Sequence, residues 1–274
     1  MFQQAEPISN GQPLSYWVEA LAEGTHNEAE RDKVVGAISQ IGTNAVPFLM
    51  KWLQFDTPHW ERAAQSKFSF IPGFVWEHST RKEARASAAV WAFRVLPILG
   101  AGKANEFNTI LLQRSGDASA GRAAQCLSAI GMPGLRLLLL DLDSTNSLVR
   151  YDAAFNIEGA AIKYRNELAY AIPALVSRIT DSDPGVVIEV TSSLKRMRAD
   201  QVDFTQALVA NLGRSNFVIQ LSALDAFGSL GTNATPFLPQ IEPFLTANDL
   251  ILRHEATNTV EKIKGIRPPR RHWE

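Results

Sequence analysis

The amino-acid sequence predicts an all-α fold in which two-helix repeats stack into an α-solenoid, and three observations support this prediction. Residues 41–49, IGTNAVPFL, return almost unchanged as LGTNATPFL at residues 230–238. A looser copy at residues 171–175 keeps the alanine, the proline and the final leucine. Apolar residues recur at helical spacing along most of the chain, and the sequence shows no alternating strand pattern.

Each repeated segment predicts a junction between two helices. Gly42 and Gly231 follow apolar helical runs, as glycines that end a helix in the left-handed conformation do. We expect Asn44 and Asn233 to accept hydrogen bonds from the first amides of the following helix. The prolines of the three copies should lie in a first helical turn, where a missing N–H breaks no hydrogen bond. These prolines are Pro47, Pro173 and Pro236.

Hydrophobic periodicity places a series of helices along the chain. They are predicted at residues 14–21, 28–41, 45–53, 81–99, 105–113, 118–130, 133–142, 147–157, 164–169, 170–179, 184–197, 204–212, 217–230, 236–245 and 250–263. Asp183 is expected to cap one of them, with Pro184 at its first position. We predict one solenoid domain over residues 1–274, with a capping helix at 14–24, a closing helix at 248–265 and a basic tail at 266–274.

The core is expected on the apolar faces of these helices. Leu14, Trp17, Val18 and Leu21 recur at helical spacing and form one face of the capping helix. Cys126 is the only cysteine, so neither an intrachain disulfide nor a cysteine-built zinc site can form. We expect it to be a small core residue rather than a reactive thiol.

Composition narrows the function classes. Hydrophobic residues make up 46% of the 274 residues and charged residues 20%, which is enough apolar material for a substantial core. With 27 basic and 28 acidic residues the formal net charge is -1, which argues against a dedicated nucleic-acid binder. No apolar run approaches the roughly 18 residues of a membrane span. No secretory signal opens the sequence, so we expect a cytoplasmic protein if the chain is complete and an exported one if a leader was removed.

An insertion at residues 55–80 interrupts the helical repeats. It is rich in aromatic residues and is punctuated by proline and glycine. The rings are Trp60, Phe68, Phe70, Phe74 and Trp76. One interpretation is that they pack the insertion onto the repeats, since large exposed apolar patches are uncommon. The other is a partner-binding lobe, because aromatic residues are favoured interface anchors and repeat insertions often lie on a binding face.

The paired helices, with Ala-x-Pro-x-Leu opening the second helix, resemble HEAT repeats over most of the chain. More narrowly, GQPLSYW at residues 11–17 followed by IGTNAVPFL is similar to HEAT-repeat proteins of Verrucomicrobia-type bacteria. The resemblance implies a right-handed solenoid whose second helices line a concave face. An unidentified protein partner is then expected on that face, where Lys51, Arg114 and Arg178 are candidate contacts, together with the aromatic insertion.

Enzymatic and nucleic-acid-binding HEAT-like proteins are the alternative. The deoxyhypusine hydroxylases hold iron with several His-Glu pairs, and here His254-Glu255 is the only such pair. A DNA-glycosylase type needs a basic groove, but the predicted second helices carry Asp141 and Glu242 as well as Arg136. No motif indicates a phycobilin lyase. The sequence therefore predicts a non-enzymatic protein-binding scaffold with no catalytic residue, metal or cofactor.

Overall fold

The computed structural model describes residues 5–23, 27–67, 77–164, 168–197 and 204–266. These residues form an all-α fold, as predicted, apart from one short antiparallel hairpin that the sequence did not indicate. Its strands are β1 (Ile8–Ser9) and β2 (Gln12–Pro13), and Ile8 pairs with Pro13. The chain divides into two compact units, Met1–Leu138 and Leu139–Glu274, which are described separately.

The first unit contains α1 (Leu14–Glu23), α2 (Glu28–Ile41), α3 (Val46–Leu53), α4 (His59–Lys67), α5 (Glu77–Val95), α6 (Ala104–Gln113) and α7 (Ala118–Ala129), and the division falls within α8 (Met132–Asp141). The second unit contains α9 (Ser147–Lys163), α10 (Leu168–Val176), α11 (Pro184–Arg196), α12 (Thr205–Leu212), α13 (Phe217–Leu230), α14 (Leu238–Ile241) and α15 (Leu250–Ile263). Short 3-10 helices lie at Gly42–Ala45, Pro97–Leu99, Ala101–Lys103, Gly231–Phe237 and Glu242–Thr246.

In the first unit, α1 buries the face that its spacing predicts. Leu14, Trp17, Val18 and Leu21 are all buried where α1 packs against α2 and α5. The indole Nε1 of Trp17 donates to the carbonyl oxygen of Ser9 at 3.0 Å, which fixes the hairpin on the helix. Helix α5 also packs against α3 and α7, and α6 pairs with α7.

Two glycines allow close packing beside α7. A Cβ at Gly134 would lie 1.9 Å from the carbonyl oxygen of Leu127, so α8 can approach the end of α7 only because this residue has no side chain. Gly100 lies against the buried ring of Phe107 in the same way. Cys126 is fully buried, which confirms it as a core residue, and burial raises the pKa of its thiol.

In the second unit, α9, α11, α13 and α15 pack against one another in sequence order. Helix α10 lies against α9 and α11, and α12 lies against α13, so each longer helix has a shorter partner. Asp183 caps α11, accepting from the amides of Gly185 at 2.8 Å and Val186 at 3.2 Å, with Pro184 at the first position. This cap was predicted from the sequence and is confirmed.

The repeated junctions differ from the prediction in one respect. Gly42 and Gly231 have φ values of 62° and 56°, so both helices end on a glycine of positive φ as expected. Asn44 and Asn233, however, are not N-caps, because each lies within a 3-10 helix. That helix already supplies backbone partners; the amide of Val46, for example, donates to the carbonyl of Thr43. No side-chain cap hydrogen bond is made at the start of these helices.

The prolines were placed correctly in one copy of three. Pro47 lies in the first turn of α3, whereas Pro173 lies inside α10 and Pro236 lies inside a 3-10 helix. The single helix predicted at residues 236–245 is also wrong, since only α14 is α-helical there. Pro243, which follows the end of α14, lacks the N–H group that a longer helix needs.

Other helix ends were also misplaced, and α10, predicted to end at residue 179, ends at Val176. Helix α5 stops at Val95 rather than at residue 99, because Pro97 cannot continue it and opens a 3-10 turn instead. Helix α9 continues to Lys163, beyond the predicted end at residue 157, and Ala160 and Ala161 are buried in its added turns.

Candidate partner-binding groove

The residues predicted to bind a partner lie in different environments. Trp60 is on α4 and is 69% exposed. Phe68, Phe70, Phe74 and Trp76 lie outside the described residues. Lys51 is exposed in the last turn of α3.

Arg114 is held within the chain rather than left open to solvent. Its Nη2 lies 2.9 Å from Asp56 Oδ2, and its Nη1 donates to the carbonyl of Gln54 at 2.6 Å. Asp56 Oδ1 also accepts from the amide of Ser119 at 2.8 Å and lies 3.3 Å from Nη2 of Arg122. Arg122 is buried, and desolvation lowers the pKa of its guanidinium despite the nearby carboxylates. Asp56 therefore joins the loop after α3 to the start of α7.

Arg178 belongs to a similar arrangement in the second unit, where it forms an ion pair with Asp143. Close by, Arg150 donates through Nε and Nη2 to the two carboxylate oxygens of Asp181, at 2.9 and 2.7 Å. Burial opposes ionisation of Asp181, but hydrogen bonds from Arg150 and from the Asp183 amide bring the pKa of Asp181 below its ordinary value. Arg214 Nη1 donates to the Asp181 carbonyl at 2.9 Å. These arginines tie consecutive repeats together.

An open groove with a volume of about 560 Å³ lies between α1 and α5 of the first unit. It is lined by Glu19, Ala22 and Glu23 of α1 and by Arg81, Ala84, Ser87 and Trp91 of α5. The α5 residues recur every three or four positions and therefore share one face of the helix. The short side chains of Ala22, Ala84 and Ser87 leave the space open, and Trp91 stands beside it, 44% exposed.

A second hollow, of about 360 Å³, shares Ala84 and Ser87 with this groove, so the two are continuous. Thr57, Thr80 and Glu83 complete its lining. Thr57 is buried, and its hydroxyl donates to the Glu83 carboxylate. We call the two hollows together the α1–α5 groove. Alanine and indole side chains line one end of this groove, and hydroxyl groups line the other end.

The charges around the groove are mostly paired. Arg85 Nε donates to Glu19 Oε1 at 2.6 Å, and Arg81 lies 2.6 Å from Glu77. Glu23 has no ion-pair partner within the described part of the chain. The groove therefore offers an aromatic ring together with a carboxylate that no arginine or lysine of the described ranges neutralises.

The sequence did not reveal this site. Trp91 lies within the helix predicted at residues 81–99, where its neighbours Ala88, Ala89 and Ala92 are buried while the ring is exposed. Because alanines are spread around α5, the pattern did not show which side faces the core. Leu148 and Phe155 form an exposed apolar stripe on α9 of the second unit, and the sequence pattern did not show that this side is exposed either.

Other kinds of site are less well supported. Among the residues that the structure describes, no group of three or more His, Cys, Asp and Glu side chains is arranged to hold a metal ion. His254 is exposed on α15. Across the same described ranges, no helix combines the length and the apolar character needed to cross a membrane.

Comparison with known proteins finds no matching family model and no matching curated protein. Among solved structures, Kap121p is similar, with a TM-score of 0.51 and 14% identity over 91% of this chain and 32% of that chain. A designed armadillo repeat protein, crystallised with the peptide (KR)4, has a TM-score of 0.45 and 17% identity over 92% of this chain and 100% of its own. An engineered protein has a TM-score of 0.43 and 19% identity over 90% and 96%.

The likeness to Kap121p confirms the predicted fold class, a helical-repeat solenoid of the armadillo and HEAT type. This chain spans about a third of the length of Kap121p, and at 14% identity the likeness concerns the fold alone. The closer resemblance to Verrucomicrobia-type HEAT-repeat proteins stays a prediction.

Proposed function

We propose that this chain is a non-enzymatic scaffold that binds a partner polypeptide, and that the α1–α5 groove receives a segment of that partner. The observation that carries this proposal is the exposed ring of Trp91 beside an open groove of about 560 Å³. Ligand sites commonly have volumes of about 300–1,000 Å³. Tryptophan is also among the residues that most often anchor protein interfaces.

The construction of the groove supports this proposal. It is formed by two packed helices, so its walls do not need to be ordered when a partner arrives, and a preformed site lowers the entropy loss on binding. Its lining alternates short apolar side chains with hydroxyl and carboxylate groups, which suits a peptide backbone and mixed side chains. A protein of the same fold class, Kap121p, has been crystallised bound to Nup53p.

The sites expected from the sequence remain part of the proposal but rank below the groove. Trp60 is exposed enough to contact a partner, and Lys51 is the predicted cation that stays open to solvent. Arg114 and Arg178 already bind carboxylates of their own chain, so a partner would have to compete for them. The concave face that the resemblance to HEAT repeats implies is accordingly a secondary surface in this proposal.

Affinity capture with matched variants tests the proposal. The wild-type chain, Trp91→Ala and Trp60→Ala are each used to capture partners from the native host, followed by mass spectrometry. We expect a protein that is held by the wild type and by Trp60→Ala but is lost from Trp91→Ala. Thermal melts show that each variant is folded. Capture that survives Trp91→Ala and fails with Trp60→Ala would move the site to the aromatic insertion.

A further inference from the structure

We infer that the α1–α5 groove recognises a cationic side chain of its partner, an arginine above all, held between the ring of Trp91 and the carboxylate of Glu23. This inference rests on the function proposed above and names the chemistry of the bound segment. It comes from the charges and rings that line the groove.

The molecule already contains an example of this recognition nearby. The guanidinium of Arg85 lies 5.3 Å from the ring centroid of Trp52, and the same guanidinium contacts Glu19 Oε1 at 2.6 Å. A cation over an indole face is stabilised by the ring quadrupole, and the carboxylate adds a charge-assisted hydrogen bond. An arginine between an indole and a carboxylate is thus an arrangement that this fold forms at the edge of the groove.

Trp91 and Glu23 are a second indole and a second carboxylate, and both line the groove. Both line the same hollow, and Glu23 has no ion-pair partner among the described residues. Arg94 lies over Trp91, 5.2 Å from the ring centroid, and so occupies one face of the indole. An incoming cation would use the other face.

The neighbouring charges favour a cation over an anion. Of the charged side chains that line the groove, three are carboxylates, Glu19, Glu23 and Glu83, and only Arg81 is cationic. Arg81 is paired with Glu77, and Glu19 and Glu83 are paired with Arg85 and Arg122. Glu23 is therefore the groove carboxylate that has no ion pair among the described residues, and it supplies the negative charge that opposes the cationic Arg94 beside Trp91. Arginine is preferred to lysine, because a planar guanidinium stacks on an indole and presents several donors to carboxylate and hydroxyl oxygens. An acidic segment would be repelled by the carboxylate of Glu23.

Defined peptides test this inference with the full chain. The probes are blocked nine-residue peptides of glycine and serine that carry two leucines and either two arginines, two lysines or two glutamates. The readout is the indole N–H signal of Trp91 in a 1H–15N spectrum, assigned by its loss in Trp91→Phe. We expect the arginine peptide to shift this signal in a saturable way, the lysine peptide to bind more weakly, and the glutamate peptide to leave the signal in place.

Single substitutions then test whether the carboxylate of Glu23 binds the arginine peptide. Glu23→Gln should weaken the arginine peptide by about two- to fivefold at low salt, the size expected for one exposed charge pair. Glu242→Gln removes an equally exposed carboxylate in the second unit and should change nothing. Added salt should reduce the difference between wild type and Glu23→Gln, because it screens exposed charges.

The inference and the function on which it rests fail in different ways. If the arginine and glutamate peptides shift the Trp91 signal equally, or if neither does, recognition of a cation in the groove is wrong. The proposed role of the groove fails on its own evidence, when Trp91→Ala captures the same partner as the wild type. If a captured partner depends on Trp91 but not on Glu23, the groove is retained and its preference for a cation is rejected.

Discussion

Residues 41–49 and 230–238 have almost the same sequence, yet they lead into different helices. After the first segment, α3 runs for eight residues and buries Leu49 completely. After the second, α14 runs for only four residues between two 3-10 helices, and the equivalent Leu238 is only partly buried. Both junctions nevertheless turn on a glycine of nearly equal φ.

The difference arises from the residues downstream. The first copy continues with Met50, Lys51 and Trp52, which all tolerate a helix, whereas the second meets Pro243 beyond its first turn. A proline beyond the first turn removes a helical hydrogen bond and clashes with the preceding turn. The repeated segment therefore determines the turn, and the residues after it determine whether a second helix forms. Four predictions test this comparison.

The largest expected difference is between Leu49→Ala and Leu238→Ala. Emptying the fully buried site should lower the free energy of unfolding by about 2–5 kcal/mol, and the partly buried site by about 1 kcal/mol. Urea denaturation of both variants measures this. Equal losses would mean that the two copies are packed alike, contrary to their burial.

The glycines should behave alike in both copies. Gly42→Ala and Gly231→Ala place a side chain at positive φ, which should destabilise each by about 1–3 kcal/mol. No atom lies within 4 Å of the added methyl group, so the effect is one of backbone strain alone. Gly36→Ala, inside α2 and equally open, is the control and should stabilise by about 0.5–1 kcal/mol. A neutral result at Gly42 would show that the positive φ is not required.

The next largest difference in stability is expected between an asparagine that caps a helix and two asparagines that do not. Asn216 accepts from the amides of Val218 and Ile219, so Asn216→Ala should destabilise by about 1 kcal/mol. Asn44→Ala and Asn233→Ala should stay within about 0.5 kcal/mol, because neither side chain caps a helix. Thermal melts of the three variants measure these differences. A loss of about 1 kcal/mol in Asn44→Ala would show that Asn44 caps a helix, as the sequence predicted.

The smallest effect on stability is expected at the proline itself. Pro243→Ala returns an N–H at the end of α14, so the helix should lengthen by about one turn while stability changes by less than about 1 kcal/mol. Hydrogen exchange by NMR should show the new amide protected. Pro239→Ala is the control, since that residue lies in the first turn of α14, where a proline is tolerated. Protection in both variants would argue against proline as the reason for the short helix.

Local patterns were predictable where one short segment contained all the information. The face of α1 and the cap at Asp183 both depend on residues within one or two turns. Helix ends were less predictable, because Pro97 and Pro243 act against an apolar pattern that continues past them.

The candidate site was harder to predict, because it depends on contacts that are distant in sequence. Arg114 was predicted to contact a partner, but in the structure it forms an ion pair with Asp56, which lies on another repeat. Trp91 lies in an alanine-rich helix whose exposed side is decided by where α1 packs. Neither fact is contained in the spacing of neighbouring residues.

Asp181 has a consequence for the order in which the second unit unfolds. Its carboxylate holds Arg150 of α9, and its carbonyl accepts from Arg214, just beyond the end of α12. In a stack of repeats each unit normally contacts only its neighbours, so the ends can fray while the middle stays folded. A residue that bonds to the repeats on both sides couples their opening. We therefore expect amides of α9 and α12 to exchange together rather than one after the other, and Asp181→Asn to let them open separately.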